Sequence, residues 1–295
     1  VSAPEAAALA PTARPARRRR RIDLLLWFCG AWLAVLILAA ITAPMLGLQE
    51  AQDAAKTLLE PVYQPPSLGS THPLGTNALG LDMLSRIIYG ARVSLTVSIS
   101  AVLIGTFVGG TLGVIAGYLR GKVDKVIGTL TNTLLAVPAL ILLVALATVL
   151  RPSALNMALA LSLVAIPGLI RVTRANTLAF AQREFVTVAR ALGAGRARVV
   201  FRELMPNVLL SVVPMCLVYV SALIVAEASL SFLGIGLRPP QPTWGNMIGE
   251  GLNGKMEDYP HLVYVPAAVL FLTVFSFNLL GERMRKRWDK REVSL

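Results

Sequence analysis

Glu227 is the only acidic residue well inside an apolar stretch of this 295-residue chain, in the run A-E-A-S-L-S-F-L-G-I-G. A carboxylate at membrane depth is costly and by default marks a site for a proton, a cation or a gating contact. A nearby Ser, backbone group or Arg would also satisfy it, and it would then only hold helices together; both readings are open. The other chemistry-bearing residues point away from catalysis. No phosphate-binding G-x-x-x-x-G-K-[ST], no G-x-S-x-G and no H-E-x-x-H occurs. His72 and His261 are far apart in sequence and read as lone surface histidines, so no metal site is expected. Cys29 and Cys216 lie inside apolar runs and offer neither a disulfide nor a metal framework. The expectation is a chain with no catalytic residue and no cofactor of its own. Energy for any transport must then come from a gradient or from another subunit.

The elements around these residues are membrane-length. The chain is 55% hydrophobic with mean hydropathy +0.66, too apolar for an ordinary soluble domain. Six spans are predicted, at roughly 24–46, 93–118, 126–150, 152–172, 207–235 and 262–281, each long enough to cross a ~30 Å hydrocarbon layer. The first reads as a span rather than a cleaved signal peptide. The net charge of +12 follows these spans. With the N-terminus inside, 22 of the 28 Lys and Arg residues fall in cytoplasmic segments. That bias places both termini in the cytosol. It makes Arg17–Arg21 a topology anchor beside the first span, with no nucleic-acid role.

The division of the chain follows from this layout. Residues 1–21 form a basic, disordered cytoplasmic tail, and 22–91 hold the first span and an extracytoplasmic segment. Residues 92–283 form a five-helix core with a cytoplasmic loop at 180–207, and 284–295 a second basic tail. Leu81, Leu84 and Ile88 share one helical face, which suggests a short helix lying on the outer surface over 79–88. Gly105, Gly109, Gly113 and Gly117 recur at every fourth residue, a flat stripe for close helix approach, either internal or between subunits. Pro138, Pro167, Pro214 and Pro266 lie inside spans, where each removes a backbone hydrogen bond and can kink its helix. Such kinks suit a protein that rocks between two openings. The loop R-P-P-Q-P-T-W-G-N-M-I-G after the fifth span is rigid, with Trp244 read as a headgroup-level anchor.

Between the fourth and fifth spans lies a charged segment, Glu184 to Asn207. Phe185, Val188, Ala189 and Leu192 fall at i, i+3, i+4 and i+7, one face of a short helix. Gly193 stands where a left-handed turn ends such a helix. An amphipathic helix on the cytosolic side of a membrane protein is a docking knob for a soluble partner.

These residues resemble a known family. E-F-V-T-V-A-R-A-L-G-A followed by F-R-E-L-M-P-N is similar to the cytoplasmic EAA loop of binding-protein-dependent ABC importer permeases. H-P-L-G-T-N-A-L-G-L-D-M-L-S-R-I-I-Y-G-A-R-V-S-L (72–95) resembles the outer segment of the C-type subunit of the dipeptide, oligopeptide and nickel permeases. A-E-A-S-L-S-F-L-G-I-G-L-R-P-P-Q-P-T-W-G-N-M-I (226–248) resembles that group's fifth helix and following loop. The pattern departs at Thr187-Val188-Ala189 for Glu-Ala-Ala, at Glu203, and at Asn77 and Leu81, where Asp and Arg are usual. The resemblance implies an all-α membrane protein of six transmembrane helices with the type I ABC importer permease fold, in the bacterial inner membrane. It implies a B-type permease as heterodimer partner, one or two ABC ATPase subunits that carry ATP and Mg, and an extracytoplasmic substrate-binding protein. It makes Glu184, Phe185, Val188, Ala189, Arg190, Leu192, Gly193, Pro206 and Asn207 the ATPase-coupling residues, with Arg183 and Arg190 pairing with acidic groups on the ATPase. Glu227, the glycine row and Pro138, Pro167 and Pro214 are the gating or packing candidates. Two further classes remain open from the residues alone: a gradient-driven carrier using Glu227, and a scaffold whose cytosolic helix recruits a signalling protein.

Overall fold

A computed structural model describes residues 23–67, 69–252 and 256–292, with side chains to 287. The basic N-terminal tail with Arg14 and Arg17–Arg21 lies outside the described residues, as does the extreme end of the C-terminal tail. The helices are α1 (Leu24–Thr42), α2 (Met83–Leu119), α3 (Gly121–Ala136), α4 (Ala139–Val149), α5 (Ala154–Phe180), α6 (Glu184–Ala191), α7 (Arg196–Arg198), α8 (Met205–Phe232), α9 (Trp244–Leu252) and α10 (His261–Glu292). Five stretches are long and apolar enough to cross a bilayer: Leu24–Met45, Met83–Leu119, Ala154–Phe180, Arg196–Phe232 and His261–Arg287. The α3–α4 pair makes a sixth if counted as one span. Among the described residues the β-type pairing is one isolated bridge, Thr76 to Asp82.

Two ends of the bundle can be told apart. The basic end carries α6, α7 and the last turns of α10. The lobe end carries residues 47–82 and α9. α1 runs from the first to the second, held by Asp23 to Arg283 at 3.0 Å and by Trp32 Nε1 donating to Thr273 Oγ1 at 3.2 Å.

α2 begins at a side-chain N-cap, Asp82. Asp82 Oδ2 accepts from Ser85 N at 2.8 Å, a side-chain cap on the first turn. The helix then runs 37 residues, about 55 Å at ~1.5 Å per residue, longer than a bilayer core. The separate surface helix expected at 79–88 is therefore not formed; its second half is the first turns of α2. The buried face is also different. Met83 and Ile87 pack on Met247 and Leu262, while Leu84 and Ile88 are half-exposed. α9 and α10 lie over Met83 and Ile87, about 100° round the helix from Leu84 and Ile88, while Leu81 of the expected face is buried at 1% exposure.

The expected single span at 126–150 is broken: α3 and α4 bend by 85°. Pro138 lacks an N–H and crowds the residue before it, so Val137 is extended at ψ 125° and the helix cannot continue. Two side chains of α5 tether α3. Arg174 forms a two-point ion pair with Asp124, and Arg171 Nη2 donates to Asn132 Oδ1 at 2.9 Å.

The glycine row is occupied by α5 of the same chain. A Cβ on Gly109 would stand 2.9 Å from the Ile166 carbonyl oxygen, and one on Gly113 would stand 2.7 Å from Thr173 Cβ. The row is thus internal packing, and the dimerisation alternative has no free surface there. Leu161, Leu169, Val212, Ile224 and Leu230 build the core between α2, α5 and α8.

Candidate functional site

The segment between α5 and α8 sits on a small core of its own at the basic end. Val114 of α2, Phe180 of α5 and Val199, Val200, Leu204 and Val208 surround Val186 of α6. Val186 is the buried anchor of α6, at 1% exposure. It lies outside the apolar set that the heptad-like spacing selects, so spacing alone passed over it. With Val186 inward, Val188 and Leu192 point to solvent at 56% and 83% exposure, while Phe185 and Ala189 are half-buried at the edge. Glu184 opens the helix, where a carboxylate suits the N-terminal end of the dipole.

The helix ends as its glycine suggests. Gly193 has φ +81°, Gly193 N donates to Arg190 O at 2.9 Å, and Ala194 N donates to Ala189 O at 3.0 Å. This pair of bonds is the Schellman closure, which needs a left-handed residue. Arg190 lies over the Tyr118 ring at 5.0 Å and Arg183 over Phe180 at 4.5 Å. Tyr118, Arg190 and Arg196 line an open cleft of about 400 Å³ without a carboxylate.

α7 passes into α8 through a π-turn at Val199–Leu204. Pro206, in the first turn of α8, has no N–H to return to the carbonyl one turn back, and Met205 N donates to Val200 O instead. Asn207 Nδ2 donates to the Glu203 carbonyl at 2.7 Å. The chain from Arg196 to Phe232 is therefore one continuous rod that begins beside α6 and ends at the lobe.

Glu227 is away from this segment. Its two oxygens accept from Ser94 Oγ at 2.8 Å and Ser231 Oγ at 2.7 Å, and it is fully buried. It joins α2 to α8, as the pairing reading anticipated. Pro167 and Pro214 are buried inside α5 and α8.

At the lobe end several expectations change. His72 and His261 are not surface residues but buried ones, at 1% and 9% exposure. His72 Nδ1 lies 3.1 Å from Asp82 Oδ1 and its Nε2 3.2 Å from Glu60 Oε2. Among the described residues no cluster suits a metal ion. Trp244 is fully buried and donates to the Ile87 carbonyl at 3.2 Å, so it locks α9 to α2 and does not anchor at headgroups. Asn77 Oδ1 accepts from Leu79 N and Leu81 N at 2.9 Å each, contacts a carboxylate oxygen would make equally well. Arg86, 3% exposed, donates through Nη2 to both oxygens of Glu250 at 3.0 and 2.8 Å. That α2–α9 pair had no sequence signal, because 164 residues separate its members. Glu50 accepts from the backbone of Asp53, Gln52 and Ala51 and from Lys56 Nζ. These donors, Asp53 N first, hold its carboxyl down at about 2.

Residues 109–293, from the glycine row through the loop to α10, match the family model described as binding-protein-dependent transport system inner membrane component. The chain belongs to that family. It is 37% identical over 222 residues to the glutathione transport system permease protein GsiD of Pectobacterium atrosepticum, covering 75% of this chain and 73% of the relative. It is 35% identical over 262 residues to the dipeptide transport system permease protein DppC of Haemophilus influenzae, covering 88% of each. In fold it resembles a chain of the inward-facing MetNI methionine ABC transporter, with a TM-score of 0.58 at 18% identity over 70% of this chain and 97% of that one. This permease is thus a C-type, multi-pass inner-membrane subunit of an ABC importer and not an enzyme. ABC importer permeases work with separate ATPase subunits and a substrate-binding protein.

Proposed function

We propose that this permease forms half of the pathway of an ATP-driven importer of short peptides, and that α6 is the part an ATPase subunit grips. The observation that carries the reading is the mounting of α6. Its inner side is wedged on a hydrophobic seat shared with α2, α5 and the start of α8, while Val188 and Leu192 stand bare on its outer side. A force on α6 is transmitted to the rod that begins at Arg196, because the seat includes Val199, Val200 and Leu204. The cleft at Tyr118, Arg190 and Arg196 receives acidic side chains of the ATPase. ATP and Mg are bound on that partner and not on this chain.

In this reading the basic end faces the cytosol, which the excess of Lys and Arg at that end supports. The exposed apolar residues of α3 and α4, among them Leu130, Leu134 and Ile141, face a B-type permease. The substrate-binding protein approaches the lobe end. Short peptides are the substrate class because the relatives named for a cargo handle glutathione and dipeptides. Glu227 is a helix-joining residue here, since two hydroxyls already satisfy it, which leaves the gradient-driven alternative without a free carboxylate.

The test is Val188→Asp with Leu192→Asp in the assembled transporter. ATPase copurification and peptide uptake should fall at least tenfold while the permease stays in the membrane fraction. Unchanged uptake and copurification would reject α6 as the grip.

A further inference from the structure

A groove between α1 and α2 near the lobe end has an apolar floor and a single cation at its rim. Ile37, Ala40 and Ile41 of α1 face Leu95 and Ile99 of α2, and Arg92 closes one side, around a space of about 360 Å³. Ile41 is in the last turn of α1, so the groove opens at one boundary of the membrane-spanning region. Arg92 also borders a neighbouring cleft with Gln52, Tyr89 and Gln241. Neither cleft contains a carboxylate, and Arg92 makes no hydrogen bond or ion pair among the described residues.

Four other arginines differ from it in this respect. Arg86, Arg171, Arg174 and Arg283 each have an acidic or amide partner. An unpaired guanidinium at a membrane boundary attracts an anion, and its planar fork suits a phosphate. An apolar trough running away from that cation along two spanning helices suits an acyl chain. We infer that this groove holds one anionic phospholipid, its phosphate on Arg92 and one acyl chain between α1 and α2. Headgroup and tail chemistry are both required, which separates this occupant from a free anion or from ordinary lipid contact. The lipid fills the seam where α1, a helix with most of its surface exposed, meets the core. The site does not rest on the proposed importer mechanism; only its assignment to the outer leaflet does, since that follows from the orientation proposed above for the lobe end.

The experiment is quantitative lipid analysis and native mass spectrometry of the assembled transporter. It is extracted in mild detergent from a membrane containing both phosphatidylglycerol and phosphatidylethanolamine. The wild type should retain about one phosphatidylglycerol per copy, and Arg92→Gln about fivefold less, the loss that one interfacial basic residue of ~1 kcal/mol implies. Ala40→Trp, which blocks the groove with Arg92 intact, should lower retention as well and serves if Arg92→Gln fails to assemble. Arg151→Gln, an exposed arginine elsewhere at the lobe end, should retain the wild-type amount. Three outcomes would overturn the site: wild-type retention by both Arg92→Gln and Ala40→Trp, preferential retention of phosphatidylethanolamine, or displacement by inorganic phosphate as effective as by short-chain phosphatidylglycerol.

Discussion

At the residue scale, the decisive positions are those where one backbone or side-chain property cannot be exchanged. Gly193 has open space around its missing Cβ, so bulk alone is tolerated there; its φ of +81° is not. Gly193→Val should destabilise the end of α6 by about 1–2 kcal/mol. It should weaken ATPase copurification without changing membrane insertion, measured on the same detergent extract. Gly193→Asn, which accepts the left-handed region more readily, should retain more association than Val. Glu250→Ala tests the other kind of position. It strands the Arg86 guanidinium, 3% exposed, beneath α9. Breaking a fully buried pair costs about 3–5 kcal/mol. Because Glu250 keeps about a third of its surface in water, about 2 kcal/mol is expected, read as a lower unfolding temperature of the purified complex.

At the element scale, α2 and α5 meet through a stripe with no side chains on one side. Gly113→Leu would drive a side chain into Thr173 Cβ and the Ile170 carbonyl, which lie 2.7 and 2.8 Å from a bare Cβ. The expected cost is about 1–3 kcal/mol of overpacking, measured by thermal unfolding. Gly121, with φ +57° and nothing within 4 Å of its Cβ position, should show no overpacking on the same assay, only the left-handed backbone strain of about 1–2 kcal/mol that Gly193 shares. The lobe has its own pH dependence. Glu50 is held at about 2 in the folded lobe, below its ordinary value of 4.5. Its contribution is therefore fully present above about 4.5 and lost progressively as pH falls toward 2. Glu50→Gln should flatten that part of a stability-against-pH curve by lowering its neutral-pH end, where the contribution is present, while leaving the acid end almost unchanged.

At the scale of the whole molecule, the two ends make opposite predictions about access. Leu59 is fully exposed on the lobe and Leu192 is 83% exposed on the loop, while Cys29 is buried and Cys216 half-buried. In intact cells lacking the ATPase subunits, which would otherwise cover Leu192, a membrane-impermeant thiol reagent should label Leu59→Cys, and should label Leu192→Cys only after permeabilisation. The reverse pattern would invert the proposed orientation. Uptake should vanish when the ATPase subunits are removed. In energised vesicles supplied with ATP it should persist when an uncoupler collapses the proton gradient; the opposite result would return Glu227 to the position of an ion site.

The residues alone determined the class of this protein, because membrane spans are set by local composition and charge placement by counting, and both are one-dimensional properties. They also determined α6 and its glycine end, since an eight-residue helix and its closure involve only near neighbours. The three family-like segments belong to the same category. What they could not decide were the partners of each face. The glycine row could serve a neighbour or its own chain until α5 was seen against it. Trp244, His72 and His261 carried the composition of surface residues, yet α9 and the lobe fold over them. The 37-residue length of α2 followed from the Asp82 cap and from α9 and α10 supporting its first turns, and the Arg86–Glu250 pair formed across 164 residues. Each of these depends on which distant element arrives, and hydrophobic burial rewards any complementary arrival equally until the whole bundle has chosen one.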